Sequence, residues 1–193
     1  MSERTLPVLP AIGSIRICRP ETGQPQVTLE SAALQVMTDL ERVPAVTVSP
    51  QETMDAAHAF MMQRGVRMLL AVDGEGNLAG IVTSNDILGE KPVELAEERR
   101  IHHGDILVAD IMTPADRLEA FDMQTVRAAR VGQVVASLQH ARRHHALVVQ
   151  ADARGEREVR GIFSLSQIAR QLGQPLALSE AASSFAELRA ALA

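Results

Sequence analysis

Apolar and polar positions in the first half of the chain follow helical spacing in one stretch and strand-like runs in the next. Apolar residues from Met54 to Met62 recur at helical spacing, and Gly65 is expected to end that helix. Gly89 and Pro92 are expected to end a second, shorter helix. The pattern predicts, in order, a strand at 45–48, a helix reaching Gly65, a strand at 66–72, a turn at 73–77, a strand at 78–82 and a short helix at 85–88.

The second half of the chain repeats this order. It predicts a helix at 131–138, a strand at 146–149, a longer polar hairpin at 150–158, a strand at 159–163 and a helix at 166–172. The repeat is also visible in the amino-acid sequence itself. One motif occurs twice with partial conservation of residue type, first as Gly80-Ile81-Val82-Thr83-Ser84-Asn85-Asp86-Ile87 and then as Gly161-Ile162-Phe163-Ser164-Leu165-Ser166-Gln167-Ile168. A Met-Thr step precedes each copy, at 37–38 and at 112–113. Such a duplication predicts a pseudo-symmetric interface, where pockets tend to form.

The repeats divide the chain into consecutive segments. A strand is expected at 12–17, a short helix at 31–37 and a charged helix at 94–104. The Ala-rich stretch 179–192 predicts a helix whose apolar stripe docks on its own domain. The predicted segments are an N-terminal extension (1–30), a first repeat (31–93), a helical linker (94–107), a second repeat (108–174) and a C-terminal helical region (175–193).

The amino-acid composition argues against several classes of binding partner. With 46% hydrophobic residues among 193, the chain can build a core. A formal charge of −5 argues against a nucleic-acid surface, and the absence of Trp and Tyr removes most stacking platforms. No apolar run is long enough to span a membrane, so neither nucleic acid nor membrane is expected as a partner. The single cysteine, Cys18, is compatible with a cytoplasmic protein.

The first copy contains one stretch that is distinctive enough to suggest a protein family. It is Val72-Asp73-Gly74-Glu75-Gly76-Asn77-Leu78-Ala79-Gly80-Ile81-Val82-Thr83, followed by Asp86. With its Met-Thr step and its weaker second copy, it resembles a pair of CBS domains (a Bateman module) over residues 36–173. The resemblance implies an α/β (α+β) fold in which each repeat is β-α-β-β-α and the two repeats pack about a pseudo-twofold axis. The N-terminal strand extension and the C-terminal helix would lie outside that module.

The resemblance also implies a function. Members of this family are regulatory and non-catalytic, so a stand-alone homodimeric sensor is expected, with no required cofactor. Clefts between the repeats commonly bind AMP, ADP, ATP or S-adenosylmethionine. Occupancy would be signalled by a conformational or oligomeric change, or to an unidentified protein partner.

The chemistry of an adenosine phosphate assigns roles to the repeated motif. The carboxylate of Asp86 can accept hydrogen bonds from both ribose hydroxyls, and Gln167 takes its place in the second copy without a charge. Hydroxyls at a helix start suit a phosphate. The family places a basic residue before the central strand and the adenine against the opposite repeat. The resulting phosphate contacts are Thr83, Ser84, Arg67, His144, His145 and Ser164, and the adenine contacts are Thr38, Thr113, Ile81 and Val82.

Three other interpretations are open at this point. Thr83 with Asp86, and Ser164 with Gln167, each match a capping box and could only cap a helix. In that case the chain would be a structural protein–protein interaction module without a small-molecule ligand. His140 and His144 have the spacing of a metal pair, but no ligand set completes it, so no metal site is expected. An enzyme is not expected either, because no nucleophile–base set is present.

Overall fold

The computed structural model describes residues 27–152 and 154–176. The expected strand at 12–17, Cys18 and the expected helix at 179–192 lie outside the described residues. The helices are α1 Met54–Arg64, α2 Ser84–Leu88, α3 Lys91–Arg99, α4 Val108–Ile111, α5 Met123–Ala128, α6 Val131–His140 and α7 Leu165–Leu172. The strands are β1 Thr38–Asp39, β2 Thr47–Val48, β3 Met68–Val72, β4 Leu78–Thr83, β5 Thr113–Pro114, β6 Ala120–Asp122, β7 His145–Ala151 and β8 Arg157–Ser164.

Helix α1 forms where the apolar spacing predicts it. The Thr53 hydroxyl caps its start by accepting a hydrogen bond from the backbone N–H of Ala56, and Gly65 ends it at φ +64°. Met54 and Met61 are buried, whereas Met62 is 66% exposed and lies on the outer side of the helix. The helix is confirmed, but the apolar face that it buries excludes Met62.

The linker between the repeats differs from the prediction at Pro92. Gly89 ends α2, but Pro92 lies in the first turn of α3, so the prediction that it ends a helix is wrong. A proline is tolerated there because the first N–H groups of a helix have no intrahelical partner. The linker helix therefore begins at Lys91 and ends at Arg99, with Arg100 in the left-handed region at φ +54°. Strand β6 and helix α5 were not predicted.

The two hairpins share one turn despite their different lengths. Asp73 Oδ1 accepts hydrogen bonds from the backbone N–H groups of Glu75 and Asn77. Asp152 Oδ1 does the same for Arg154 and Glu156. The extra residues of the second hairpin extend the ladder, where Gln150 faces Glu158 and Ala151 faces Arg157. The predicted loop at 150–158 is thus shorter, because its ends belong to strands.

The repeats exchange the short strands that precede them. One sheet has the order β2-β3-β4-β5 and the other β1-β8-β7-β6, so β5 of the second half completes the first sheet and β1 completes the second. Each exchanged strand lies over a glycine. A Cβ on Gly80 would lie 2.4 Å from the carbonyl oxygen of Thr113, and one on Gly161 would lie 2.5 Å from Sδ of Met37. This close approach explains the glycine that opens both copies of the motif.

Each core also receives residues from the opposite half of the sequence. Ile106, Val108 and Ile111 pack with α1 and β3 in the first core. Ala33, Val36 and Met37 pack with α6 and Phe163 in the second. Between the units lies a smaller central cluster built on the buried residues Met68, Leu70 and Leu147. The two units therefore interlock by reciprocal exchange of segments.

Candidate functional site

Two clefts open beside the central cluster. The Asp86 cleft has a volume of about 290 Å³ and is lined by Asp86, Ser84 and Thr113 among others. The Gln167 cleft has a volume of about 470 Å³ and is lined by Gln167 and Thr38 among others. Arg67, Met68, His145 and Ser166 line both clefts, so the two cavities are neighbours that share a wall.

Asp86 forms a capping box and still presents an acceptor to its cleft. Its Oδ2 accepts hydrogen bonds from Thr83 N at 2.8 Å and from Thr83 Oγ1 at 2.7 Å, and its own N–H donates to Thr83 Oγ1 at 3.3 Å. Its Oδ1 accepts no hydrogen bond from any residue that the structure describes. The side chain is half-buried at the cleft wall. Capping and ligand contact are therefore compatible, because they use different oxygens.

Thr83 and Ser84 are both predicted phosphate contacts, but their hydroxyl groups differ in whether they already have hydrogen-bond partners. The Thr83 hydroxyl donates to Asp86 and accepts from its N–H, so it is committed to the cap. The backbone N–H of Ser84 donates to Arg67 O at 3.0 Å. Within residues 27–152 and 154–176, the Ser84 hydroxyl has no hydrogen-bond partner and lines the cleft. Ser84 is thus the better placed of the two hydroxyls for a ligand.

Cationic side chains gather at the same cleft from two elements. Arg67 directly precedes β3, and Arg142 and Arg143 follow the end of α6. Arg143 Nη2 lies 3.1 Å from Oε2 of Glu119, which also lines the cleft. Sequence reasoning missed Leu118 and Glu119, because the segment after β5 carries no periodic signal.

Arg142 holds a backbone conformation that favours glycine. It lies at φ +52°, at the position where Gly65 ends the equivalent helix of the first unit. Arg143 N donates to Leu138 O at 2.9 Å, as Val66 N donates to Met61 O at 3.0 Å. The same chain reversal therefore follows both helices, but in the second unit it carries a cation into the Asp86 cleft.

His145 is neutral at physiological pH. Burial lowers the pKa of its imidazole from 6.5 to about 4, with smaller contributions from His144 and Arg67 nearby. It was predicted as a phosphate contact, and it can serve as one only through a neutral N–H. The positive charge of the shared wall comes from Arg67.

Two of the predicted adenine contacts, Ile81 and Val82, lie on opposite faces of β4. Thr113 pairs with Ile81, and both line the Asp86 cleft. Val82 is fully buried in the first core and does not line the cleft. Its prediction is corrected here, because adjacent side chains of a strand point to opposite faces of the sheet.

The Gln167 cleft has a different set of polar groups. Thr38 Oγ1 donates to Gln167 Oε1 at 3.3 Å, so the exchanged strand β1 does contact Gln167. Ser164 forms no helix cap, and its hydroxyl lies 3.1 Å from that of Ser166. Beside the cleft, Arg160 pairs with Asp39 and Glu41 and holds β1 against β8. No acidic residue is among those that line this cleft in the described chain.

Two further properties of the described residues bear on function. None of their helices has the length and apolar character needed to cross a bilayer. Nowhere in these ranges do three or more His, Cys, Asp or Glu side chains cluster closely enough to hold a metal ion.

Comparisons with known proteins agree with this architecture. Residues 33–92 match the family model described as the CBS domain. A conserved protein from Pyrococcus horikoshii is 22% identical, with a TM-score of 0.55 over 78% of this chain and 98% of its own. CBSX2 from Arabidopsis thaliana, in complex with AMP, is 21% identical, with a TM-score of 0.52 over 72% of this chain and 94% of its own.

A third similar structure is the CBS domain pair of protein MJ0100, in complex with 5-methylthioadenosine and S-adenosyl-L-methionine. It is 20% identical, with a TM-score of 0.50 over 76% of this chain and 97% of its own. Likeness at these identities establishes the fold, and the family model establishes the domain type of the first unit. Residues 33–92 are therefore identified as a CBS domain, and the described residues together have the fold of a CBS domain pair.

Proposed function

We propose that this protein is a non-catalytic regulatory module that binds an adenosine-containing ligand in the Asp86 cleft. The observation that carries the proposal is the open Oδ1 of Asp86, a carboxylate oxygen beside a cavity and without a partner among the described residues. A ribose diol supplies two hydroxyl donors, which an ionised carboxylate accepts through charge-assisted hydrogen bonds.

The rest of the cleft fits the other parts of such a ligand. Ser84, Arg67 and Arg142 provide a hydroxyl and two guanidinium groups for a phosphate or another anionic group. Ile81 and Leu118 provide apolar contacts for a base. AMP in CBSX2 and the two adenosine derivatives in MJ0100 support this ligand class, since both proteins share the fold.

The position of the cleft supports a sensor. Its lining residues come from both units, including the exchanged strand β5, so a bound ligand would bridge them. Such a ligand favours one relative arrangement by its differential affinity for the two states. Met62, Leu88 and Val93 are more than half exposed on consecutive helices of the first unit, and this face is our candidate for a homodimer contact that responds to occupancy.

The experiment separates ligand binding from helix capping at Asp86. Asp86→Asn keeps an oxygen that can accept the hydrogen bonds from Thr83, while the amide presented to the cleft becomes a donor. Calorimetry with AMP should show a loss of affinity of roughly tenfold to a hundredfold, the value of about 1.5–3 kcal/mol for a hydrogen bond to a charged group. Affinity for 2′,3′-dideoxy-AMP, which lacks the diol, should be nearly the same for both proteins.

The matched control is Gln167→Ala in the other cleft, which should leave AMP affinity unchanged. Thermal unfolding of Asp86→Asn without ligand should stay close to that of the unmodified protein. If Asp86→Asn unfolds at a lower temperature but binds AMP with normal affinity, Asp86 only caps its helix and does not contact the ligand. The same titrations with ADP, ATP and S-adenosylmethionine would identify the preferred ligand.

A further inference from the structure

The mouth of the Asp86 cleft carries an ion pair. Glu119 Oε2 lies 3.1 Å from Arg143 Nη2, and both residues line the cleft. The Glu119 side chain is 81% exposed and that of Arg143 is 39% exposed, so the pair lies where the cleft opens to solvent. Among the described residues, Asp86 and Glu119 supply the carboxylates that line this cavity. Glu119 therefore contributes the negative charge at the entrance.

The first unit shows that the fold does not require this ion pair. Strand β6 pairs with β7 as β2 pairs with β3, and this register aligns Glu119 with Val46. The equivalent chain reversals after α6 and α1 align Arg143 with Val66. Both valines line the Gln167 cleft. Because the same backbone forms with two valines at these places, the ion pair is a property of the Asp86 cleft and not of the fold.

The backbone of Glu119 is held on both sides. Leu118 packs against the central cluster, and Ala120 pairs with Leu147 of β7. The carboxylate can therefore move only by rotation of its side chain, and it stays within reach of the cleft mouth in each rotamer.

The ion pair leaves two of the three arginines of the cleft available to a ligand. In the part of the chain that the structure describes, no carboxylate lies within ion-pair distance of Arg67 or Arg142. A phosphate monoester carries about 1.5 to 2 negative charges at pH 7, which two guanidinium groups can balance. Each further phosphate group adds negative charge, and it reaches Arg143 only in competition with Glu119.

We infer that Glu119 is a specificity-determining residue of the Asp86 cleft and selects a nucleoside monophosphate over nucleoside di- and triphosphates. The inference rests on the proposed function, since it concerns the ligand of that same cleft. Glu119 neutralises the guanidinium of Arg143, and its carboxylate repels the second and third phosphate groups of a longer ligand.

Calorimetry with AMP and with ATP, in magnesium-free buffer of low ionic strength, tests this selection. The unmodified protein should bind AMP at least about tenfold more tightly than ATP. Glu119→Gln should raise the affinity for ATP about tenfold and that for AMP no more than about threefold, because the carboxylate mainly repels the additional phosphate groups. A higher salt concentration should reduce the gain, since salt screens exposed charges.

Two further variants serve as controls. Glu98→Gln makes the same change in net charge at an exposed residue of α3 that lines neither cleft, and it should not change the ratio of the AMP and ATP affinities. Glu119→Val copies the first unit and should change that ratio as Glu119→Gln does. Thermal unfolding of Glu119→Gln should stay close to that of the unmodified protein, because an exposed ion pair contributes little to stability.

Three outcomes would overturn the inference. They are an affinity for ATP that equals or exceeds that for AMP in the unmodified protein, an unchanged ratio in Glu119→Gln, and an equal shift of the ratio in Glu98→Gln. In each case, AMP binding that depends on Asp86 would leave the proposed function intact. If neither AMP nor ATP binds, the inference fails, and titration with S-adenosylmethionine then decides whether the proposed function stands.

Discussion

The two clefts have the same backbone plan but differ in the polar group at the start of the short helix. In each, a strand exchanged from the other half lies over a glycine, and a short helix begins beside it. The first cleft presents a carboxylate oxygen, whereas the second presents an amide donor and no acidic group among its described lining. Duplication has therefore kept the features that hold the units together, while the groups facing the cavities have diverged.

The largest expected difference between the units concerns these glycines. A Cβ on Gly80 meets backbone, the Thr113 carbonyl at 2.4 Å, whereas one on Gly161 meets the flexible side chain of Met37. Gly80→Ala should therefore lower the free energy of unfolding by about 3 kcal/mol, and Gly161→Ala by about 1 kcal/mol. Urea denaturation of both variants measures this. Equal losses would mean that the side chain of Met37 moves aside no more easily than the backbone of Thr113.

His145 provides the next comparison, because Met68 occupies its place in the first unit. The folded pKa of about 4 lies below the unfolded value of 6.5, so protonation favours the unfolded chain. The stability that the folded protein gains from neutral His145 is therefore complete above pH 6.5 and is lost as pH falls towards 4. Between pH 7 and pH 5 the loss should be about 2 kcal/mol.

Urea unfolding at the two pH values measures this loss, and the imidazole resonances of His145 report its titration directly. The control, His145→Met, copies the first unit and should show a much shallower pH dependence over the same interval. If the variant keeps the full dependence, other groups are responsible for it.

The smallest expected effect concerns Arg142, which replaces the glycine of the first unit. The left-handed conformation costs a non-glycine residue about 1 kcal/mol, partly offset by the greater freedom of glycine in the unfolded chain. Arg142→Gly should thus raise the free energy of unfolding by about 0.5–1 kcal/mol. Arg100→Gly, at φ +54° and away from the clefts, should give a similar gain.

Only the cleft variant should affect ligands. Because Arg142 lines the Asp86 cleft, Arg142→Gly is expected to weaken AMP binding about threefold, whereas Arg100→Gly should not change it. Calorimetry on the two variants tests this difference. Equal AMP affinity in both would exclude Arg142 from the binding site.

Much of the fold was predictable because the repeat carries local signals. Thr53 and Gly65 mark the ends of α1, and Gly76 at φ +89° marks the first hairpin turn. Pro92 was misread because a proline near a helix end and one in a first turn look alike in sequence. Strand β6 and helix α5 are short, and their apolar residues are too few to show a period.

Less of the site was predictable. Asp86 and Ser84 were predicted from the motif and Arg67 from the family resemblance, and their roles as ligand contacts stay predictions. Val82 was misplaced because the motif does not say which strand face meets the cavity. Leu118 and Arg170 reach the clefts only through folding of distant segments, and no local pattern marks them.

The sequence by itself determined that one unit occurs twice, where most helices and strands begin and end, and which hydroxyl and acidic residues stand at a helix start. These properties depend on neighbours along the chain, such as apolar spacing, capping residues and glycines. Only the tertiary structure decided which oxygen of Asp86 stays open, that Gln167 is bonded through its oxygen to Thr38, and that Arg67 and His145 serve two cavities at once. Those properties depend on contacts between residues far apart in sequence, which form when the two units exchange strands and pack together.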